Sequence, residues 1–151
     1  MLSDVFYDIL DGEPYPEWDD YPPLGRIPTT GSPVDVILDG NLAYVAAYES
    51  GVHVIDVANP ANGDPFGVVD TPGSAMGVAA SGSHAYVADP SGGLQVIDIS
   101  DPTSPRLTGS PKVRGYGLGV DVGGGYAFLA SVWDDEGIIE HDLRLAPLQC
   151  Q

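Results

Sequence analysis

Residues 73–102 read GSAMGVAASGSHAYVADPSGGLQVIDISDP, and residues 31–60 repeat the pattern 42 residues earlier as GSPVDVILDGNLAYVAAYESGVHVIDVANP. A third, more divergent copy begins 42 residues later, at Gly115, as GYGLGVDVGGGYAFLASV. Single residues confirm the register, because Ala43, Ala85 and Ala127 occupy the same place in the three copies. An internal period of this length indicates a repeat architecture in which each copy is one supersecondary unit.

Each copy consists of short runs of β-branched and aromatic residues separated by turn residues. The turn signals recur about every ten residues, and no window has a helical period, so the sequence predicts an all-β protein of antiparallel meanders. The predicted strands are 34–38, 43–46, 52–57 and 66–70 in the first unit, 76–80, 85–88, 94–99 and 106–109 in the second, and 118–122, 126–130 and 138–143 in the third.

Four-stranded units of about 42 residues suit the blades of a β-propeller. The sequence therefore predicts a leader at residues 1–24, repeats at residues 25–143 and a C-terminal tail at residues 144–151. The units fall at 31–72, 73–114 and 115–143. The third unit has no room for a fourth strand, and residues 25–30 offer an orphan strand that could complete it, as N-terminal strands often do in closed rings.

Three blades are fewer than the four to eight of closed propellers. Three interpretations follow: a fragment of a longer propeller, an open arc, or half of a six-bladed ring made by two chains. An open arc would expose both flat faces of its end blades.

The sequence of the second unit resembles the repeats of the LVIVD repeat family. The resemblance rests on AYVAD at 85–89, GLQVIDISDP at 93–102 and TPGSAMGVA at 71–79, and it extends more loosely over residues 25–143. It implies a β-propeller from bacteria or archaea, mostly exported or attached to the cell surface, and it supplies no catalytic residues.

The charge is strongly one-sided, with 22 acidic and 5 basic residues and a net charge of −17. A field of that sign disfavours nucleic acid and anionic membranes as partners. The negative charge fits adaptation to high salt or plain solubility, and it also fits the binding of a cation or of a basic partner. No apolar run is long enough for a membrane span. Residues 1–13 do not resemble a signal peptide, whereas the family implies export, so the compartment stays open.

The leader at residues 1–24 combines seven acidic residues with five aromatic ones and four prolines. The prolines exclude a long helix. Two interpretations stay open: an extended segment lying on the domain, or an acidic and aromatic docking segment. Cys150 is the only cysteine, so no internal disulfide is expected and a free thiol is favoured.

The candidate binding residues lie in the turns between the second and third strands. The third unit has an expanded turn at 132–137 that gathers three carboxylates beside a tryptophan. In a meander these turns share one end with the start of each first strand, so Asp35, Ser74 and Tyr116 are expected nearby. An acidic, aromatic rim suits a protein or carbohydrate partner, although an unconstrained solvated loop would look the same. The predicted binding residues are Tyr48, Glu49, Asp89, Trp133, Asp134, Asp135 and Glu136.

No catalytic or metal-binding residue is predicted. His53, His84 and His141 form no ligand pair, and His53 is expected on the outward phase of its strand. No cofactor is predicted, and calcium at the acidic turn is only a weak alternative. Asp56 and Asp98 are interpreted as architectural acceptors for turn amides, with Asp142 in the matching place. The alternative function is a hydrolase or lyase that uses paired carboxylates on the same rim.

Overall fold

The computed structural model describes residues 27–58, 65–111, 113, 115–135 and 138–148. This part of the chain contains strands and no helix, and so no helix that could cross a membrane. The strands are β1 (Asp35–Asp39), β2 (Leu42–Ala46), β3 (Val52–Asp56), β4 (Pro65–Val69), β5 (Gly77–Ser81), β6 (His84–Asp89), β7 (Gly93–Asp98), β8 (Arg106–Gly109), β9 (Tyr116–Gly123), β10 (Tyr126–Asp135) and β11 (Ile138–Pro147).

The described strands form three antiparallel sheets, which we call blades 1 to 3. Blade 1 has the order β1-β2-β3-β4, blade 2 has β5-β6-β7-β8, and blade 3 has β11-β10-β9. The prediction of an all-β protein with three propeller blades is confirmed, and the sheets do not close into a ring. Blade 3 contains three strands within the described residues.

The core lies in two layers between the blades. Blades 1 and 2 bury one layer, which includes Tyr44 and Val54 from blade 1 and Val87 and Ile97 from blade 2. Blades 2 and 3 bury a second layer, to which Tyr86, Leu94 and Leu129 belong. The middle strands of blade 2 are buried on both faces, since a blade packs on each side. Their sequences therefore read as nearly continuous apolar runs and do not alternate with polar residues.

A smaller cluster lies on the far side of blade 1, next to the described part of the segment 25–30. Ala43, Val45 and Ile55 form this cluster, and Ile27 packs against it. Residues 27–30, the described part of that segment, form no strand, and their contacts are with blade 1 of the same chain. Thr30 Oγ1 lies 3.3 Å from Nε2 of His53. His53 is 1% exposed, so the outward position expected for it is wrong.

Blade 3 differs from its prediction in the hairpin between β10 and β11. Residues 132–135 belong to β10, so most of the expanded turn predicted at 132–137 is strand. β11 runs on to Pro147, well past the predicted end at 143. Asp142 pairs with Ser131, whereas Asp98 pairs with His84 at the opposite end of its blade. The predicted equivalence of Asp142 with Asp98 is therefore wrong.

Candidate functional site

One end of the blades carries the loops between second and third strands together with the connections that lead into first strands. We call this end the loop rim; in blades 1 and 2 it comprises residues 30–35, 48–51, 70–76 and 90–92. Tyr48 and Ala75 join two of these segments, since each backbone N–H donates to the other's carbonyl, at 3.1 and 2.9 Å. The shared end that the meander predicted is thus present in the structure.

Tyr48 is the most unusual residue of the loop rim. Its backbone has φ 44°, and it is the one non-glycine residue with positive φ among the described residues. A bulky residue is strained in this region, and such strain persists where neighbouring contacts impose it. The side chain is 42% exposed. Glu49, the next residue, is also exposed. The loop therefore presents an aromatic ring and a carboxylate to solvent.

Asp89 ends β6 beneath the loop rim and has no exposed surface. Its carboxylate accepts four backbone N–H groups, from Gly73 (2.8 Å), Ser74 (3.2 Å), Ser91 (2.9 Å) and Gly92 (2.9 Å). Two of these donors precede β5 and two follow β6, so the side chain fastens the β6–β7 loop to the connection that starts the blade. The Asp89 side chain therefore organises the loop rim.

Asp35 begins β1 and connects the innermost strands of two blades. Its Oδ2 accepts the N–H of Val78 on β5, and its Oδ1 accepts the N–H of Val36, both at 2.9 Å. Asp35 thus links blades 1 and 2, as Asp89 links two segments of the loop rim.

The third blade supplies the remaining predicted residues. Tyr116 starts β9, is 58% exposed, and pairs with Val132 of β10. Beyond that pair, the backbone positions of Trp133, Asp134 and Asp135 continue β10 opposite Glu140, Ile139 and Ile138. Glu136 lies outside the described residues. The three described positions therefore lie on the part of the β10–β11 hairpin that extends beyond the first residue of β9.

At the opposite end of the blades, Asp56 and Asp98 have the architectural role expected of them. Asp56 accepts the N–H of Ala58 at 2.8 Å, and Asp98 accepts the N–H of Ser100 at 2.9 Å. The hydrogen bonds from Ser100, with smaller contributions from His84 and Arg106, hold the pKa of Asp98 below its usual value. No group of three or more metal-ligating side chains occurs within the described part of the chain.

The sequence pattern and the blades point to one family. The LVIVD repeat family matches the chain at residues 30–71 and 72–112, which together are more than half of its length. The chain belongs to the LVIVD repeat family. The two LVIVD matches coincide, within two residues at each end, with the first and second predicted units.

Three solved structures similar to this LVIVD chain are two designed proteins and one β-propeller domain, all of low sequence identity. The designed Ika8 protein matches with a TM-score of 0.57 at 11% identity, covering 76% of this chain and 33% of its own. The designed Ika4 protein matches with 0.53 at 11%, covering 72% and 63%. The Cps50 (Swd1) β-propeller domain of Myceliophteria thermophila matches with 0.52 at 12%, covering 76% and 39%.

These likenesses concern the fold alone, since the identities are low. The chain spans less than two thirds of the length of each of these three structures. A comparison with curated protein sequences gives no match.

Proposed function

We propose that this LVIVD chain is a non-enzymatic binding module whose loop rim takes a basic segment of a protein partner. Because the family resemblance implies export, we also propose that the chain lies outside the cell or at its surface. The observation that carries the proposal is the exposed ring of Tyr48 on a backbone held at φ 44°. Strain of this kind is concentrated at functional sites because the native contacts must offset its cost.

The chemistry around Tyr48 favours a positively charged ligand. Glu49 adds an exposed carboxylate beside the ring, and Asp70 is exposed in the connection that leads to blade 2. On blade 3, Tyr116 at the start of β9 is a further exposed aromatic side chain. An arginine can stack on an aromatic ring while its guanidinium pairs with a carboxylate, which is a combination found at interfaces. The net charge of −17 would speed the encounter with such a segment.

A peptide titration tests the proposal. The probe is an eight-residue peptide of alternating arginine and glycine, measured by calorimetry at about 0.15 M salt, where long-range attraction is largely screened. We expect Tyr48→Gly and Glu49→Gln each to weaken binding about fivefold or more, or roughly 1 kcal/mol. Glycine retains both backbone hydrogen bonds to Ala75. Relief of the left-handed strain, about 1–2 kcal/mol, should at least offset glycine's entropic cost of about 0.5–1 kcal/mol.

Asp39→Asn is the matched control. Asp39 is the exposed last residue of β1, at the end opposite the loop rim, and the change removes the same charge as Glu49→Gln. Equal weakening by the two changes would mean that the peptide senses only the overall charge, and the proposed site would be wrong.

A carbohydrate partner is the other outcome that the experiment can reveal. The probe is then a neutral oligosaccharide such as cellohexaose. Binding of this sugar that is lost in Tyr48→Gly and kept in Glu49→Gln, with no binding of the peptide, would replace the protein partner by a sugar.

A further inference from the structure

The first and last blades each have one sheet face that no other blade of the chain covers. The open face of blade 1 includes Val36 and Leu38, which are 57% and 70% exposed. The open face of blade 3 includes Leu143 and Leu145, which are 63% and 56% exposed. Exposed apolar side chains on this scale mark interaction surfaces.

The open face of blade 1 repeats a face that is buried in blade 2. Blade 2 meets blade 1 through Val78, Ala85, Val87 and Ile97, which are at most 2% exposed. The residues 42 positions earlier are identical in type: Val36, Ala43, Val45 and Ile55. The last three form the cluster on the far side of blade 1 and are at most 7% exposed, since Ile27 of the same chain packs on them, whereas Val36 stays exposed beside them. The open face of blade 1 thus has the side chains that receive a preceding blade.

The open face of blade 3 corresponds to the other face of blade 2, the one that packs on blade 3. Blade 2 meets blade 3 through Tyr86, Ala88, Leu94 and Val96, which are at most 8% exposed. In blade 2, Tyr86 pairs with Val96 and Ala88 pairs with Leu94. The same pairs recur in blade 3 as Phe128 with Leu145 and Ala130 with Leu143. On β10 and β11 the open face of blade 3 therefore has the apolar positions that receive a following blade, while Asp121 on β9 stands where blade 2 has Ala79.

We propose that a second copy of the chain covers both open faces, and that two chains close one six-bladed ring. Blade 3 of each copy would pack on blade 1 of the other, in the way that blade 1 packs on blade 2 within the chain. A two-fold axis makes the two new interfaces identical, so the assembly closes. Six blades lie within the four to eight of closed propellers, whereas three do not.

The place of Ile27 gives a second argument for this arrangement. Ile27 lies 42 residues before Val69, the last residue of β4, and packs on the blade 1 cluster, while Val69 belongs to the layer between blades 1 and 2. Residues 27–30 therefore occupy the place that the end of a fourth strand from a preceding blade would take. In the ring that blade is blade 3 of the other copy, whose β11 has a free edge within the described residues. Each copy would supply the fourth strand to the other.

Light scattering on the purified 151-residue chain, over a hundredfold range of concentration and at low and high salt, tests the ring. We expect a mass of twice 15.7 kDa, with stronger association at high salt because each chain carries a charge of −17. Val36→Lys and Leu143→Lys should each raise the dissociation constant at least tenfold. Leu107→Lys is the control, since Leu107 is 39% exposed on β8 and belongs to neither open face.

Hydrogen exchange on the unmodified chain distinguishes pairing of an added strand with β11 from other contacts between the two copies. This measurement does not require that the variants fold. Amides of β11 on its free edge should become protected as concentration rises, while amides of β8, the outer strand of blade 2, should not change. A monomeric mass at all concentrations would overturn the proposal. So would association beyond two copies, or a dimer that Val36→Lys and Leu143→Lys leave intact.

Discussion

Gly51, at the tip of the β2–β3 loop, lies against the backbone carbonyl of Val69 at the end of β4. A β-carbon on Gly51 would overlap that oxygen, and the residue has φ +69° besides. The start of β3 and the end of β4 are thus packed backbone to backbone, which requires a glycine at this place.

Gly51→Ala should lower the free energy of unfolding by about 3 kcal/mol or more, because the added methyl group meets backbone and not a flexible side chain. Gly40→Ala is the matched change, since Gly40 has φ +58° and open space around it. We expect it to cost only the left-handed strain of about 1–2 kcal/mol. Urea unfolding followed by circular dichroism measures both; equal costs would show that the carbonyl of Val69 moves aside.

Asp89→Ala should be strongly destabilising. The change leaves four backbone donors without their acceptor, and each hydrogen bond to a charged group contributes about 1.5–3 kcal/mol. Because the bonds share one side chain they do not add fully, so we expect a total of about 3–4 kcal/mol. Asp70→Asn, at an exposed position of the same loop rim, should stay within about 0.5 kcal/mol. Denaturant midpoints compare the two, and similar midpoints would contradict the role assigned to Asp89.

His53 should make the stability depend on pH. Burial lowers the pKa of His53 below its usual value of 6.5. The folded chain then keeps this ring neutral while the unfolded chain takes up a proton. Its contribution to stability is therefore complete above pH 6.5 and is lost as the pH falls toward the lowered pKa, with a slope of at most about 1.4 kcal/mol per pH unit.

His53→Gln should remove that dependence. The replacement copies blade 2, where Gln95 is buried at the equivalent place and donates to the carbonyl of Gly92 at 2.7 Å. Thermal unfolding between about pH 5.5 and 7.5 measures the slope. A slope that persists in His53→Gln would assign the pH dependence to another group.

Asp35→Ala should weaken the contact between blades 1 and 2. It removes the acceptor of the Val78 N–H on a neighbouring blade, and a loss of about 1–3 kcal/mol is expected. Asp35→Asn keeps a side-chain oxygen that can accept the same bond, so it should cost clearly less. Calorimetric unfolding measures both changes. Equal costs would mean that the negative charge, and not the hydrogen bond, is what the site needs.

The strands of blades 1 and 2 could be predicted from the sequence because their turns are chemically explicit. Gly40, Gly82 and Gly124 recur every 42 residues, and all three adopt positive φ between a first and a second strand. Such a glycine fixes both the turn and the phase of the flanking residues. The strands observed in blades 1 and 2 accordingly begin and end within about one residue of the predicted ones.

Blade 3 and the loop rim were less predictable for physical reasons. The hairpin of β10 and β11 extends by backbone pairing beyond the part that packs on blade 2, and no apolar alternation marks where it ends. In the sequence, Asp89 resembles an exposed acidic residue of a turn. Two of its hydrogen-bond donors, Gly73 and Ser74, lie 16 and 15 residues earlier, so the turn itself does not indicate that the carboxylate is buried. The buried position of His53 was missed because the strand has a packed layer on both sides.

The identity of Val36, Ala43, Val45 and Ile55 with the residues of blade 2 has an evolutionary consequence. A gene that duplicates or deletes one 42-residue segment in frame changes the number of blades without needing a new contact surface, because each junction reuses the same pair of faces. Selection can then act on the loops alone, while copy number sets how many blades are packed side by side.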